Sequence, residues 1–222
     1  MIRLVLFFIL CSTAAAAQPT CFCAKCLFLT HKSHFAPSSS MHPTLLTDTC
    51  FEGRFVTPQE LPPAPGSVIT FLHPVSEAVF VSRVIALSGQ TVQMRAGRPV
   101  IDGVGVVHDR LADHAELMTR SASGALPRCP VPTALGDTCA IPQFAETLSN
   151  GARYAVLDLE QNARFDNTDV YTVPDGHVFV MSDNRDNALD SRVPLDFGGV
   201  GFIPLANIRT IVDSPDTHLA QP

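Results

Sequence analysis

Residues 181–192 read M-S-D-N-R-D-N-A-L-D-S-R, directly behind the apolar run H-V-F-V-M at His177–Met181. Three Asp, two Asn and two Arg this close together are costly to bury unless they pair. A strand that runs straight into such a cluster predicts a shared polar network around a site. Working outward, alternating or β-rich runs lie at Val68–Leu72, Val79–Leu87, Thr91–Arg95, 154–157, 170–173, His177–Met181 and Ile208–Val212. Turn chemistry separates them at 62–66, 88–89, 174–176 and 183–187. Short helices are expected at 109–120 and 143–148, in a loop-rich middle third. The pattern predicts a mainly β protein, mostly antiparallel, with one core domain and an inserted lobe.

Composition agrees. A chain of 222 residues that is 46% hydrophobic can bury one substantial core plus a small appended lobe. Its 18 Pro and 13 Gly favour short strands and turns over long helices. The net charge of −6, with no Lys/Arg-rich run, excludes a phosphate-binding face, so no nucleic-acid partner is expected.

Upstream, residues 37–45 read P-S-S-S-M-H-P-T-L, a serine-rich turn pinned by two prolines. Between the two boxes stands R-V-I-A-L-S-G-Q-T-V-Q-M-R-A-G-R-P-V-I-D-G at 83–103, and after them F-G-G-V-G-F-I-P at 197–204. Together these resemble the type I signal peptidases, serine endopeptidases that remove signal peptides from exported proteins. The resemblance runs from about Phe35 to Ile208. It implies a signal-peptidase-like antiparallel β catalytic domain with a disulfide-bearing β insertion. It also implies Ser40 as nucleophile, with Ser38 and the Ser40 backbone N–H as oxyanion donors. Ala36, Met41, Leu45, Phe80 and Val81 would line shallow apolar pockets for the small side chains of an Ala-x-Ala site. Arg83, Ser182, Asp183, Asn184, Arg185, Asp186, Ala188, Asp190 and Arg192 would form the supporting scaffold, with Asp190 and Arg192 holding the last box against the nucleophile strand. The expected partners are signal peptides of exported preproteins, docked as an added strand, and the membrane. No cofactor or metal is implied.

One part of the family pattern is missing. The family's general-base lysine, immediately ahead of an arginine, aligns with Ser82, and the serine that orients that lysine aligns with Ala188. A serine hydroxyl is far too weak a base to deprotonate another serine. The chain's two lysines, Lys25 and Lys32, both precede Ser40. Two readings follow. Either the protein still cleaves signal peptides with another base, for which His42, His73 and His177 are nearest in sequence, or it is a catalytically impaired relative that binds signal-peptide-like segments. A penicillin-recognising enzyme, suggested by S-D-N at 182–184, is closed because no lysine follows position 32.

At the amino terminus Arg3 precedes the apolar run 4–11 and a small-residue stretch at 12–17. This is the shape of a secretory signal, with Ala15-x-Ala17 ahead of a cut at Gln18. As a helix, residues 2–17 would reach only ~24 Å against a bilayer core of ~30 Å. The family resemblance favours a retained anchor in the inner (plasma) membrane; the rival is cleavage to a soluble periplasmic protein. Both put the bulk of the chain on the extracytoplasmic side. The expected organisation is 1–17 as anchor or signal-like segment, 18–34 as a Cys/His-rich linker, 35–103 with 153–215 as the β-rich catalytic-type domain, and 104–152 as the inserted lobe.

Setting aside Cys11 leaves an even set of cysteines. Cys129 and Cys139 flank a Pro/Gly-containing loop and are expected to pair in an oxidising compartment. Cys21, Cys23 and Cys26, followed by His31 and His34, offer zinc ligands. Their spacing matches no standard zinc motif, so disulfides or free thiols are the expected alternative.

Overall fold

The computed structural model describes residues 21–213, so the expectations for 1–17 fall outside the described residues. In chain order the strands are β1 (His31–Phe35), β2 (Cys50–Phe55), β3 (Val68–Leu72), β4 (Val79–Leu87), β5 (Thr91–Arg95), β6 (Arg98–Ile101), β7 (Val104–Gly105) and β8 (Val107–Arg110). They continue as β9 (His114–Leu117), β10 (Thr138–Ile141), β11 (Gln143–Thr147), β12 (Arg153–Leu157), β13 (Tyr171–Thr172), β14 (His177–Met181), β15 (Ile203–Pro204) and β16 (Ile208–Val212). The main sheet runs β1-β2-β16-β3-β4-β14-β15, with every pairing antiparallel.

The apolar runs in β4 and β14 are nearly continuous because both faces of these strands are covered. On one face Ile85, Phe179 and Met181 pack with Val92 and Met94 of β5 and with Tyr154 and Val156 of β12. On the other, Val84, Val178 and Val180 pack with Ile69, Phe71, Ile203 and Ile208. Each fully buried side chain of this kind contributes about 1.5–3 kcal/mol of transfer free energy, which makes β4 and β14 the stiffest elements available to carry a site.

The middle third differs from expectation. The helices expected at 109–120 and 143–148 are absent; those residues form β8, β9 and β11. β11 is sandwiched between β12 and β8, with Phe144 opposite both Val156 and Arg110. β9 pairs with β10. Local helix preference yields here to long-range pairing: β9 alternates, with His114 and Glu116 turned inward and Ala115 and Leu117 out. The 104–152 segment is therefore a small β lobe. Its Cys139 and Ile141 pack, with Cys129 against them, on Leu157 and Leu159 of the chain that follows.

The cysteines are joined as Cys21–Cys50, Cys23–Cys26 and Cys129–Cys139. The first two withdraw all three thiolates of C-F-C-A-K-C from zinc binding, and the expected 129–139 pair forms. The 18–34 segment is also more than a linker, because β1 occupies 31–35 and pairs with β2. A polar edge strand such as H-K-S-H-F leaves no apolar alternation for a sequence reading to find.

Replacing both Cys129 and Cys139 with Ser should lower stability by about 2–3 kcal/mol, since the bridge restrains the unfolded loop. Urea unfolding of the oxidised wild type against the double variant measures this. Equal midpoints would show that the lobe does not depend on its bridge.

Candidate active site

The serine turn is built by short-range hydrogen bonds and held from outside. His42 N–H donates to Ser39 O at 3.1 Å, and Leu45 N–H to Met41 O at 2.9 Å. The residues behind β14 then grip it. Asn184 N–H donates to Ser40 O at 3.0 Å, and the Asn184 side-chain amide to Ser39 O at 3.0 Å. Asn187 donates to the Ser39 hydroxyl at 2.8 Å. Ser38 Oγ donates to Ser40 Oγ across 3.2 Å.

Beneath the turn lie three buried ion pairs. Arg83, fully buried on β4, binds Asp183 through two bonds, Nε to Oδ1 at 2.9 Å and Nη2 to Oδ2 at 2.7 Å. The same guanidinium donates to Gly66 O at 2.7 Å and Thr44 Oγ1 at 3.2 Å, and rests 4.2 Å over the Tyr154 ring. Thr44 in turn donates to Asp183. Arg185 forks onto Glu146 at 2.9 and 2.6 Å, and Tyr154 donates to the same carboxylate at 3.0 Å. Arg192 forks onto Asp190 at 2.9 and 2.8 Å, while Asp190 accepts the Ser182 N–H at 3.0 Å. Bidentate charge-assisted bonds fix orientation as well as position. Burial alone would raise the Asp190 carboxyl, but Arg192 holds it below its ordinary range.

Two of these partners correct the sequence reading. Glu146 lies in a segment expected to be helical, so nothing in the sequence marked it as the counter-ion of Arg185. Asp190 and Arg192 satisfy each other and the box backbone. The bonds to the nucleophile turn come instead from Asn184, Asn187 and, through Thr44, Asp183.

Above the turn opens a groove of about 710 Å³, bordered by Ser38, Ser40, Phe80, Val81, Ser82, Ser182, Asp186 and Ala188, with Pro37, Val79, Arg128, Asn187 and Leu189 completing the wall. The residues aligned with the family's nucleophile, base and base-orienting positions thus share one wall. Ser82 donates to Val81 O at 2.7 Å and sits 3.2 Å from the Ser182 hydroxyl. Phe80 and Val81 face the groove; Ala36, Met41 and Leu45 do not. Met41 and Leu45, four residues apart in the turn, point inward onto Val68 and Val212, and Ala36 is 3% exposed. The apolar wall is completed by Val79 and Leu189, 51% and 54% exposed, which sequence reasoning missed.

The three candidate histidine bases are occupied elsewhere. His42 bonds Glu116 through Nδ1 at 3.0 Å and accepts the Thr47 N–H at Nε2 at 2.8 Å. His73 bonds Gly199 O at 3.1 Å and accepts the N–H groups of Val75 and Ser76. His177 bonds Asp175 O at 2.8 Å. Lys25 pairs with Glu52 and Asp213 at 3.7 and 3.5 Å. Among the described residues lining the groove, the one basic side chain is Arg128, a permanently charged group that cannot accept a proton.

A family model described as signal peptidase, peptidase S26, matches residues 2–215. Signal peptidase I of Rickettsia akari is 30% identical over 164 residues, covering 71% of this chain and 52% of that protein. Signal peptidase I of Rickettsia prowazekii is 31% identical over the same length and coverage. The chain therefore spans about half the length of the curated relatives it matches. A crystal structure of a signal peptidase I from Enterococcus faecalis aligns with a TM-score of 0.35 and 24% identity, over 67% of this chain and 95% of that one.

The Arg185–Glu146 pair gives the site a definite acid sensitivity. Burial pushes the Glu146 carboxyl up, but Arg185 and His108 together lower it from 4.5 to about 2. Because the folded value lies below the unfolded one, the pair's contribution is complete above about pH 4.5 and lost as pH falls toward 2. Glu146→Gln should cost about 3–5 kcal/mol at neutral pH by stranding the buried Arg185 charge, and should flatten stability across that acid window. Urea unfolding at a series of pH values tests both; unchanged stability in the variant would refute the pairing.

Proposed function

We propose, for a chain that belongs to the signal peptidase family, peptidase S26, that it captures the extended end of signal peptides in the Ser40 groove and hydrolyses them only slowly. The observation that carries this is the groove wall: Ser40 shares it with Ser82, Ser182 and Ala188, and among the described residues neither an amine nor an imidazole lines it. Ser40 is the nucleophile, and Ser38, with the Ser40 backbone N–H, stabilises the oxyanion. Ser82 stands in the place of the general base and cannot perform that role, because a hydroxyl is far too weak a base to deprotonate another serine; its own proton goes to Val81 O. Losing such a group removes rate while leaving binding and oxyanion stabilisation in place.

Binding is supported by an open strand edge. β14 pairs with β4 from Arg83 onward, so residues 79–82 pair with β3 on one side and border the groove on the other. An extended peptide laid there adds as a strand, its small side chains facing Phe80 and Val81. Three disulfides support an extracytoplasmic location, where such bridges persist. Among the described residues no helix is long and apolar enough to cross a membrane; the proposed tether is the apolar run at 4–11 behind Arg3, on the strength of the sequence pattern alone.

The test is an Ala-x-Ala peptide assayed for both binding and cleavage. Wild type should bind saturably and cleave slowly, and Ser82→Lys with Ala188→Ser should raise the rate by roughly 10²–10⁴-fold. If wild type already matches the double variant and Ser40→Ala abolishes cleavage, an unassigned base exists and slow hydrolysis is wrong. Absence of saturable binding would remove capture as well.

A further inference from the structure

A second cleft, of about 490 Å³, shares Pro37, Ser38 and Asn187 with the groove and is walled by His42, Thr47, His114 and Glu116. His42 Nδ1 and His114 Nε2 each lie 3.0 Å from Glu116 Oε2. All three donor atoms fall within 4.8 Å of one another. His114 and Glu116 are two residues apart on β9, hence on one face of the strand. His42 comes from the serine turn, a separate part of the chain.

The geometry points to a binding site for a divalent transition metal of the zinc type, held by His42 Nδ1, His114 Nε2 and the Glu116 carboxylate, with a further position open to the cleft. Two imidazoles and one carboxylate are an established zinc donor set that keeps one position open. Donors held about 2.0–2.2 Å from zinc stand roughly 3.3–3.5 Å apart in a tetrahedron, so the two 3.0 Å spacings need to open by a few tenths of an ångström while the two imidazole nitrogens, within 4.8 Å of each other, draw together around the ion. Metal at His42 Nδ1 requires the other tautomer of that ring. Thr47 N–H donates to His42 Nε2, so Nδ1 carries the proton that Glu116 now accepts. Metal at Nδ1 moves that proton to Nε2, where Thr47 Oγ1, 3.0 Å away, accepts it. An oxygen acceptor behind a metal-bound imidazole is the usual support, but the Thr47 N–H, 2.8 Å from Nε2, has to swing aside to admit that proton. Metal at His114 Nε2 likewise requires the tautomer that carries its proton on Nδ1. An ion seated there ties the serine turn to the inserted lobe.

Full-length protein carrying no histidine tag, titrated with Zn²⁺ by calorimetry and with Co²⁺ by visible absorption, tests the site. A single equivalent should bind, with cobalt bands of low-symmetry, near-tetrahedral type. His114→Ala and Glu116→Gln should each weaken binding by more than the roughly tenfold that loss of a mere supporting group produces, while His177→Ala leaves it unchanged. His42→Ala also removes the Thr47 contact and is read only alongside a folding check; the two β9 variants keep the test decisive. Folded wild type that shows no saturable binding, or binding undiminished in both β9 variants, overturns the site and leaves His42–Glu116–His114 as a hydrogen-bonded clamp.

Discussion

The buried fork between Arg83 and Asp183 is the contact on which the site's geometry depends. It joins β4 to the segment after β14, and through Thr44 and Gly66 it reaches the serine turn and the approach to β3. An ion pair this deep is not chosen for stability, since the cost of removing two charges from water rivals their attraction. What it supplies is direction. With five planar donors and one permitted orientation, the guanidinium fixes where Asp183 lies and hence where Asn184 N–H meets Ser40 O. Glu146–Arg185 and Asp190–Arg192 extend the same lattice behind it.

That rigidity persists around a vacancy of chemistry. The scaffold presents Ser40 and Ser38 on the groove wall, and beside them the Ser82 and Ser182 hydroxyls, with Ser82 at the position that the family resemblance gives to a proton acceptor. A preorganised pocket without a base still binds and still stabilises developing charge. On the proposed reading, retention of the whole network fits a protein selected for recognition, and would leave capture and turnover separable.

Much of this was legible in the sequence. β3, β4, β5, β14 and β16 begin and end where their apolar runs do, because buried strands bounded by turn residues leave a strong local signal. The dense polar box announced a network, and Ser40 and Ser82 were singled out by resemblance alone. The strands of the middle third were not legible from local pattern. Residues 109–120 carry good helix formers, and only their pairing with distant strands makes them β. The inward turn of Met41 and Leu45 was equally hidden, since an apolar residue beside a nucleophile reads the same whether it faces substrate or core.

The amino-acid order by itself determined the β-rich class, the family likeness, the absence of a lysine beyond position 32, and the 129–139 bridge. Those are properties of local pattern and inventory. Tertiary structure alone decided that Glu146 answers Arg185, that Val79 and Leu189 wall the groove, that Cys21 joins Cys50, and that His42 meets β9. Each of these unites residues far apart in the chain, and which long-range partners meet is set by strand register and by the need of every buried charge for a counter-charge.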